Sequence, residues 1–224
     1  MLPVLYSFRR CPYAIRSRYM IALLGVPVHL REVVLRSKPS ELLSLGGRSS
    51  VPQLVDIDGT RYPESLDIIF WALTSSDYKK AVNELWPSNS IRRNRMKAWI
   101  TYNDHFFKYW LDRYKYADRY PEYSEDYYRD KGEVFLSRLD KRLSERNFLF
   151  GDKMSLADIA VFPFIRQFAA VNQKWFDASQ YNNVKRWLVS FVNSEIFNSV
   201  VMVKYPAWQA GQENTLYPAN QYAN

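Results

Sequence analysis

Cys11 is the one cysteine among 224 residues, and it stands in Arg9-Arg10-Cys11-Pro12-Tyr13-Ala14, directly after the apolar run Val4-Leu5-Tyr6-Ser7-Phe8. That run reads as a short buried strand. Pro12 suits the first turn of a helix, where its missing N–H costs nothing. Ile15, Tyr19, Ala22 and Leu23 then recur at helical spacing as far as Gly25, a helix-ending residue. The pattern predicts a thiol at a helix N-terminus, facing unpaired N–H groups and the positive end of the helix dipole. Arg9, Arg10 and Arg16 add positive potential. A free thiol of pKa about 8.5 is only roughly 3% thiolate at neutral pH, and settings of this kind bring cysteine down to about 3.5–7.5. The chemistry expected is that of a nucleophilic thiolate.

A lone cysteine is more often a small buried hydrophobe without chemistry. Position argues otherwise here, because strand–Cys–Pro–helix sets the sulfur at an element's end rather than inside an apolar face. Ala14 stands where a second cysteine would complete a dithiol pair. No disulfide can form within the chain, so any partner sulfur must come from outside.

Composition narrows the class. Aromatic residues make up 17% and glycines number only seven, which points to a helical, densely packed chain able to bury a substantial core. One cysteine fits a reducing compartment, and Leu2-Pro3-Val4-Leu5 has none of the layout of a signal peptide. No apolar run reaches the ~18 residues that would span a membrane. A cytoplasmic protein without a membrane partner is expected. The net charge of +8 is spread through helical segments among 23 acidic residues, with no basic tail and no recognition motif. Nucleic acid is therefore not expected as a partner, although such a chain would attract small anions, including an anionic peptide cofactor. His29 and His105 lack cysteine or carboxylate neighbours at ligand spacing, so no metal site is predicted.

The elements that must hold Cys11 alternate. Residues 29–35 read as a second strand, 39–45 as a short helical segment, and 51–55 as a third strand. Asp58-Gly59 reads as a hairpin turn into Arg61-Tyr62, and Pro63-Glu64-Ser65 opens a helix through Trp71. This is α/β order, βαβ and then ββα. Proline within a strand is unusual. A cis Val51–Pro52 bond would be a reason to keep Pro52 there, and it would leave the Val51 N–H and C=O free for a ligand's peptide backbone.

Periodicity lapses across residues 76–90, read as a linker, and all beyond it reads as helix. Residues 91–116 form a long aromatic helix, 127–146 carry one apolar face, Ser155-Leu156-Ala157-Asp158 opens an apolar helix, and another follows around Trp187. The tail from Ala210 reads as loop. The expected division is residues 1–75 as an α/β domain, the linker, and residues 91–224 as an all-helical domain.

In that order, Cys11-Pro12-Tyr13-Ala14 with Arg16 and Arg18, Lys38-Pro39, Val51-Pro52, Glu64-Ser65, and Gly151-Asp152 with Ser155-Leu156-Ala157-Asp158 resemble the glutathione transferase superfamily. The resemblance is to the omega class and to the bacterial two-domain glutaredoxin, and it covers nearly the whole chain. It implies a thioredoxin-like domain followed by a helical bundle that lines a substrate pocket, glutathione as co-substrate, and a homodimer. It also implies the ligand set. Glu64 would take the γ-glutamyl ammonium, Ser65 at a helix N-terminus would take the α-carboxylate, Val51 would pair with the cysteinyl backbone beside Pro52, and Lys38 would reach the glycyl carboxylate.

Competing readings stand beside each of these. Glu64-Ser65 also serves as a plain helix start, and Lys38 as a surface lysine. Ser155 and Asp158 read as a structural helix cap rather than catalytic groups. One departure from the family's pattern is Gly46-Gly47-Arg48-Ser49-Ser50, where omega-class chains carry an Asn-Pro step. The activity implied is glutathione-dependent thiol transfer or reduction on a small disulfide or oxidised substrate, through a mixed disulfide on Cys11. Two alternatives are conjugation of glutathione to an electrophile, for which Tyr6 and Ser7 are poorer thiol-activating candidates, and a non-catalytic interaction protein on the same fold.

Overall fold

A computed structural model describes residues 1–219 and separates the chain into two compact units. The first comprises Met1–Val82 together with the chain from Ser194 onward; the second is Asn83–Asn193.

In the first unit, β1 (Val4–Ser7) runs parallel to β2 (Val28–Glu32), with Leu5 opposite Leu30. On its other side β1 pairs antiparallel with β3 (Gln53–Val55), which pairs with β4 (Arg61–Tyr62). Between them lie α1 (Pro12–Leu23) and α2 (Ser40–Ser44), and α3 (Ser65–Ser75) follows β4. Alternating apolar residues of the strands, Leu5, Val28, Leu30 and Leu54, are buried. Ten residues of α1 are buried, including Arg16, Ser17 and Arg18, so this helix has no ordinary solvated face. It ends as expected, with Gly25 at φ +60 and the Val26 N–H returning to Ile21, a reversal that favours glycine because a Cβ is strained there. The Asp58-Gly59 hairpin forms as expected, closed by the Asp56 N–H on Thr60.

The domain boundaries need correction at both ends. Residues 76–90, read as a linker, contain the helix α4 (Lys79–Leu85). The tail from Ala210 is not all loop. Thr215–Tyr217 forms β5, antiparallel on β2, completing a five-stranded sheet in the order β4-β3-β1-β2-β5. The expected all-helical domain of 91–224 therefore ends near Asn193. The remainder joins the first unit because a sheet edge offers unpaired backbone groups to any strand of suitable register. Part of the 91–224 reading, residues 220–224, lies outside the described residues.

The second unit is helical: α5 (Ser90–Tyr102), α6 (Lys108–Lys115), α7 (Glu125–Leu143), α8 (Leu156–Ala169), α9 (Gln173–Ala178) and α10 (Asn182–Val192). The long aromatic helix expected over 91–116 is one rod interrupted by a π-turn, Asn103–Phe107, between α5 and α6. Phe107, Phe135 and Phe168 form the aromatic core, with ring centres 4.6 Å (Phe107–Phe135) and 5.3 Å (Phe107–Phe168) apart. Among the described residues no helix is long and apolar enough to cross a membrane.

Candidate functional site

Cys11 is the N-cap of α1, with Pro12 opening the helix. Its thiol accepts no N–H from the first turn and lies 3.8 Å from the Val51 carbonyl oxygen. The Val51–Pro52 peptide is cis. Two residues that are 40 positions apart in sequence are thus brought together at one end of the sheet.

The loop before Cys11 is fixed from below. Its Arg9 N–H donates to Glu32 Oε1 at 2.7 Å, while Glu32 Oε2 receives Arg18 Nη1 at 3.0 Å. Burial pushes the Glu32 carboxyl up, against the pull of the Arg9 N–H and the Arg18 charge. The loop before Val51 is fixed by two side chains as well. Gln53, fully buried, donates from its amide to the Arg48 and Ser50 carbonyls at 2.6 and 2.8 Å. Arg61 donates to the Leu45 and Gly46 carbonyls at 2.6 and 2.7 Å, and its Nε donates to Gln53 Oε1 at 2.9 Å. This clasp shapes Gly46-Gly47-Arg48-Ser49-Ser50, with both glycines at positive φ.

The helix start at α3 divides two neighbours. Glu64 is exposed and caps α3, its N–H donating to Asp67 Oδ2 at 3.2 Å. Ser65 is 1% exposed, and both Nε and Nη2 of Arg16 donate to its hydroxyl at 3.0 and 2.8 Å. A hydroxyl has two acceptor lone pairs and one donor hydrogen. Arg16 occupies the acceptor side, so what Ser65 has left to offer an anion is a donor, its O–H. Arg16 itself is buried and lies 5.0 Å above the Tyr13 ring. Lys38 is half-buried ahead of α2, its Nζ donating to Ser49 at 3.3 Å.

The sequence reading missed Glu32, Gln53, Arg61 and the contact of Arg16 with Ser65. A signal existed for some of them: Arg16 and Arg18 sit in a helix with no polar face, and Glu32 falls on the buried alternation Val28, Leu30, Glu32 of β2. Charges in such places require partners. The poorer thiol-activating candidates are both turned inward. Tyr6 is buried, and its hydroxyl accepts from Arg31 at 2.7 Å; burial pushes its pKa up. Ser7 is buried too.

Ser155 and Asp158 lie in the other unit, at the start of α8. The Asp158 carboxylate collects four donors: the Leu149 N–H at 2.8 Å, the Ser155 N–H at 2.9 Å, the Ser155 hydroxyl at 2.6 Å and the Trp187 indole at 2.9 Å. Burial pushes its carboxyl up against those bonds. The arrangement ties α8, α10 and the chain near Leu149 into one knot. Among the described residues no three His, Cys, Asp or Glu side chains gather where they could hold a metal ion.

Two family models match the chain: "Glutathione S-transferase, N-terminal domain" over residues 5–78 and "Glutathione S-transferase, C-terminal domain" over 109–189. Among solved structures, a glutathione transferase family member from Pseudomonas fluorescens, with two glutathione bound, is 21% identical. It covers 87% of this chain and 89% of its own, with TM-score 0.71. A transferase from Burkholderia graminis, with two glutathione molecules per subunit, is 24% identical over 87% of this chain and 85% of its own, with TM-score 0.68. An unclassified transferase from Bombyx mori reaches TM-score 0.73 at 17% identity, covering 86% of this chain and 88% of its own. A curated relative, elongation factor 1-gamma of Drosophila melanogaster, is 28% identical over 81 residues; these are 36% of this chain and only 19% of that protein.

Proposed function

For a chain that belongs to the glutathione S-transferase superfamily, as this one does, we propose glutathione-dependent thiol transfer with Cys11 as nucleophile. The carrying observation is the placement of its sulfur at the cap of α1, 3.8 Å from the Val51 carbonyl. In this reading the Val51 backbone pairs with the cysteinyl unit of glutathione beside Pro52, which delivers the glutathione sulfur to Cys11. Glu64, exposed at the α3 cap, takes the ligand's ammonium; Ser65 donates to its α-carboxylate; Lys38 takes the glycyl carboxylate. The helical unit holds the second substrate, and the protein works as a cytoplasmic homodimer, which sedimentation velocity would check.

The cycle balances with one protein thiol. Cys11 thiolate attacks the glutathione sulfur of a mixed disulfide, that S–S bond breaks, and the substrate leaves as thiolate and takes a proton from water. A second glutathione thiolate then attacks the glutathione sulfur on Cys11. Oxidised glutathione departs and the Cys11 thiolate is restored. Intact-mass spectrometry after treatment with oxidised glutathione should show one glutathione per chain, absent in Cys11→Ser. Cys11→Ser should also lose nearly all thiol-transfer turnover while keeping its glutathione affinity, since binding rests on other residues. An unmodified wild-type mass would end the proposal.

Conjugation is the weaker alternative, because the Tyr6 hydroxyl is engaged inward by Arg31. A non-catalytic interaction role on the same fold is the other alternative. That role predicts neither glutathione binding nor an adduct on Cys11.

A further inference from the structure

Five arginines crowd one surface of the helical unit. A cavity of about 460 Å³ is lined by Arg92 and Arg95 of α5, by Arg142 at the end of α7, and by Arg146 and Phe150 beyond it. A neighbouring cavity of about 340 Å³ shares Arg142 and Arg146 and adds Arg138 and Trp99. Nothing in the proposed thiol chemistry uses them.

Their fixed partners are almost all neutral. Arg92 Nη2 donates to the Phe150 carbonyl at 2.8 Å, and Arg142 Nε to the Leu149 carbonyl at 2.8 Å. The Nε of Arg92 is buried without an acceptor. Among the described residues the one carboxylate lining either cavity is Glu145, 3.6 Å from Arg146; its side chain is 81% exposed, where such pairs contribute little. Arg95 is exposed and has no hydrogen bond or ion pair among the described residues. Backbone carbonyls thus orient the Arg92 and Arg142 guanidiniums but leave their charge uncompensated. Burial first, and then the Arg146 and Arg95 charges close by, pull the Arg142 guanidinium below its ordinary range. An isolated fold gains nothing from such crowding; a bound anion relieves it.

We propose that this arginine pocket binds a compact anion carrying two or more linked phosphates. Each planar guanidinium offers paired N–H donors that match phosphate oxygens. Linked phosphates put three or more charges in a volume this pocket accommodates, and a pocket of a few hundred Å³ is ordinary for a small ligand. Phe150 and Ile91 supply an apolar flank for whatever group the phosphates are attached to.

The probe is inorganic tripolyphosphate, titrated calorimetrically into the whole protein at ~0.15 M salt, where the Debye length of about 8 Å suppresses diffuse attraction. Saturable binding of one tripolyphosphate per chain is expected, tighter than orthophosphate or citrate. Arg95→Glu should weaken it roughly tenfold or more, since a donor pair becomes a repelling charge. That exposed position should leave the melting temperature and the glutathione-dependent turnover unchanged. Arg142→Gln should weaken binding too, but its loss of the Leu149 contact makes it the second variant rather than the first. The proposal is overturned by an absence of saturable binding, by equal affinity in Arg95→Glu, or by citrate binding as tightly. It is equally overturned if Arg95→Glu changes the sedimenting mass while wild type ignores tripolyphosphate, which would make the surface a contact between copies.

Discussion

Glu64 and Ser65 are adjacent in sequence and opposite in environment, and substitutions there should separate accordingly. Glu64→Gln keeps an acceptor at the α3 cap and removes only the charge. Glutathione affinity should fall by roughly tenfold or more, as for loss of a charge-assisted hydrogen bond, with little change in melting temperature. Ser65→Ala should harm both, because the two buried Arg16 donors lose their acceptor. An unsatisfied buried donor costs about 1–3 kcal/mol, more where charged. Calorimetry beside a thermal melt reads both effects. A Ser65→Ala protein with wild-type melting would mean that Arg16 finds another acceptor and that Ser65 is not its anchor.

At the scale of elements, the Phe168 side chain of α8 packs directly onto α7 at Gly132. A Cβ there would lie 2.5 Å from Phe168 Cε2, and Phe168 is itself enclosed, with ring centres 4.8 Å from Tyr114 and 6.1 Å from Trp175. Gly132→Ala gains about 1 kcal/mol of helix propensity, against an overpacking cost of about 1–3 kcal/mol. Net destabilisation is expected in a urea melt, and a stabilised variant would show that Phe168 moves freely. At the start of α8, Ser155→Ala removes a hydroxyl donor from Asp158 and a helix cap. A loss of about 0.5–2 kcal/mol is expected, with turnover per folded molecule near normal. A steep fall in activity without a change in melting would instead make the box part of the chemistry.

For the whole molecule, the first unit is assembled from both ends of the chain. Arg18 donates to the Val203 carbonyl at 3.4 Å and lies over the Tyr205 and Tyr217 rings, and the Tyr217 hydroxyl donates to the Arg18 carbonyl at 2.9 Å. The Trp208 N–H donates to the Glu32 carbonyl at 2.9 Å, and its ring takes the Arg31 guanidinium at 3.8 Å. Ending the chain after Asn193 would bare the β2 edge and unseat the buried Arg18–Glu32 pair, whose disruption costs about 3–5 kcal/mol in comparable settings. The melting temperature should drop by about 10 °C, and light scattering should show self-association through the open edge. An unchanged melt would make the tail an ornament. Glutathione binding should weaken as well, because Glu32 also anchors the loop before Cys11.

Local information was enough for Cys11 at a helix cap, the Asp58-Gly59 hairpin, the Glu64 helix start and the Ser155 box. Each depends on residues within a few positions of one another, and turn, cap and periodicity rules act at that range. The order of motifs also pointed to the family and to a thioredoxin-like α/β domain followed by helices. Only the tertiary structure decided that Gln53 and Arg61 shape the loop before Val51, that Arg16 turns Ser65 into a donor, and that Glu32 serves both Arg9 and Arg18. Apart from the Gln53 amide, which reaches back only 5 and 3 residues, these are pairings across 8 to 49 residues, and neither spacing nor composition encodes which buried charge meets which acceptor. The tail shows the same limit. Thr215-Leu216-Tyr217 is too short and too polar in its surroundings to announce a strand by itself, and it becomes one because β2 offers an unpaired edge. Its identity is set by its partner.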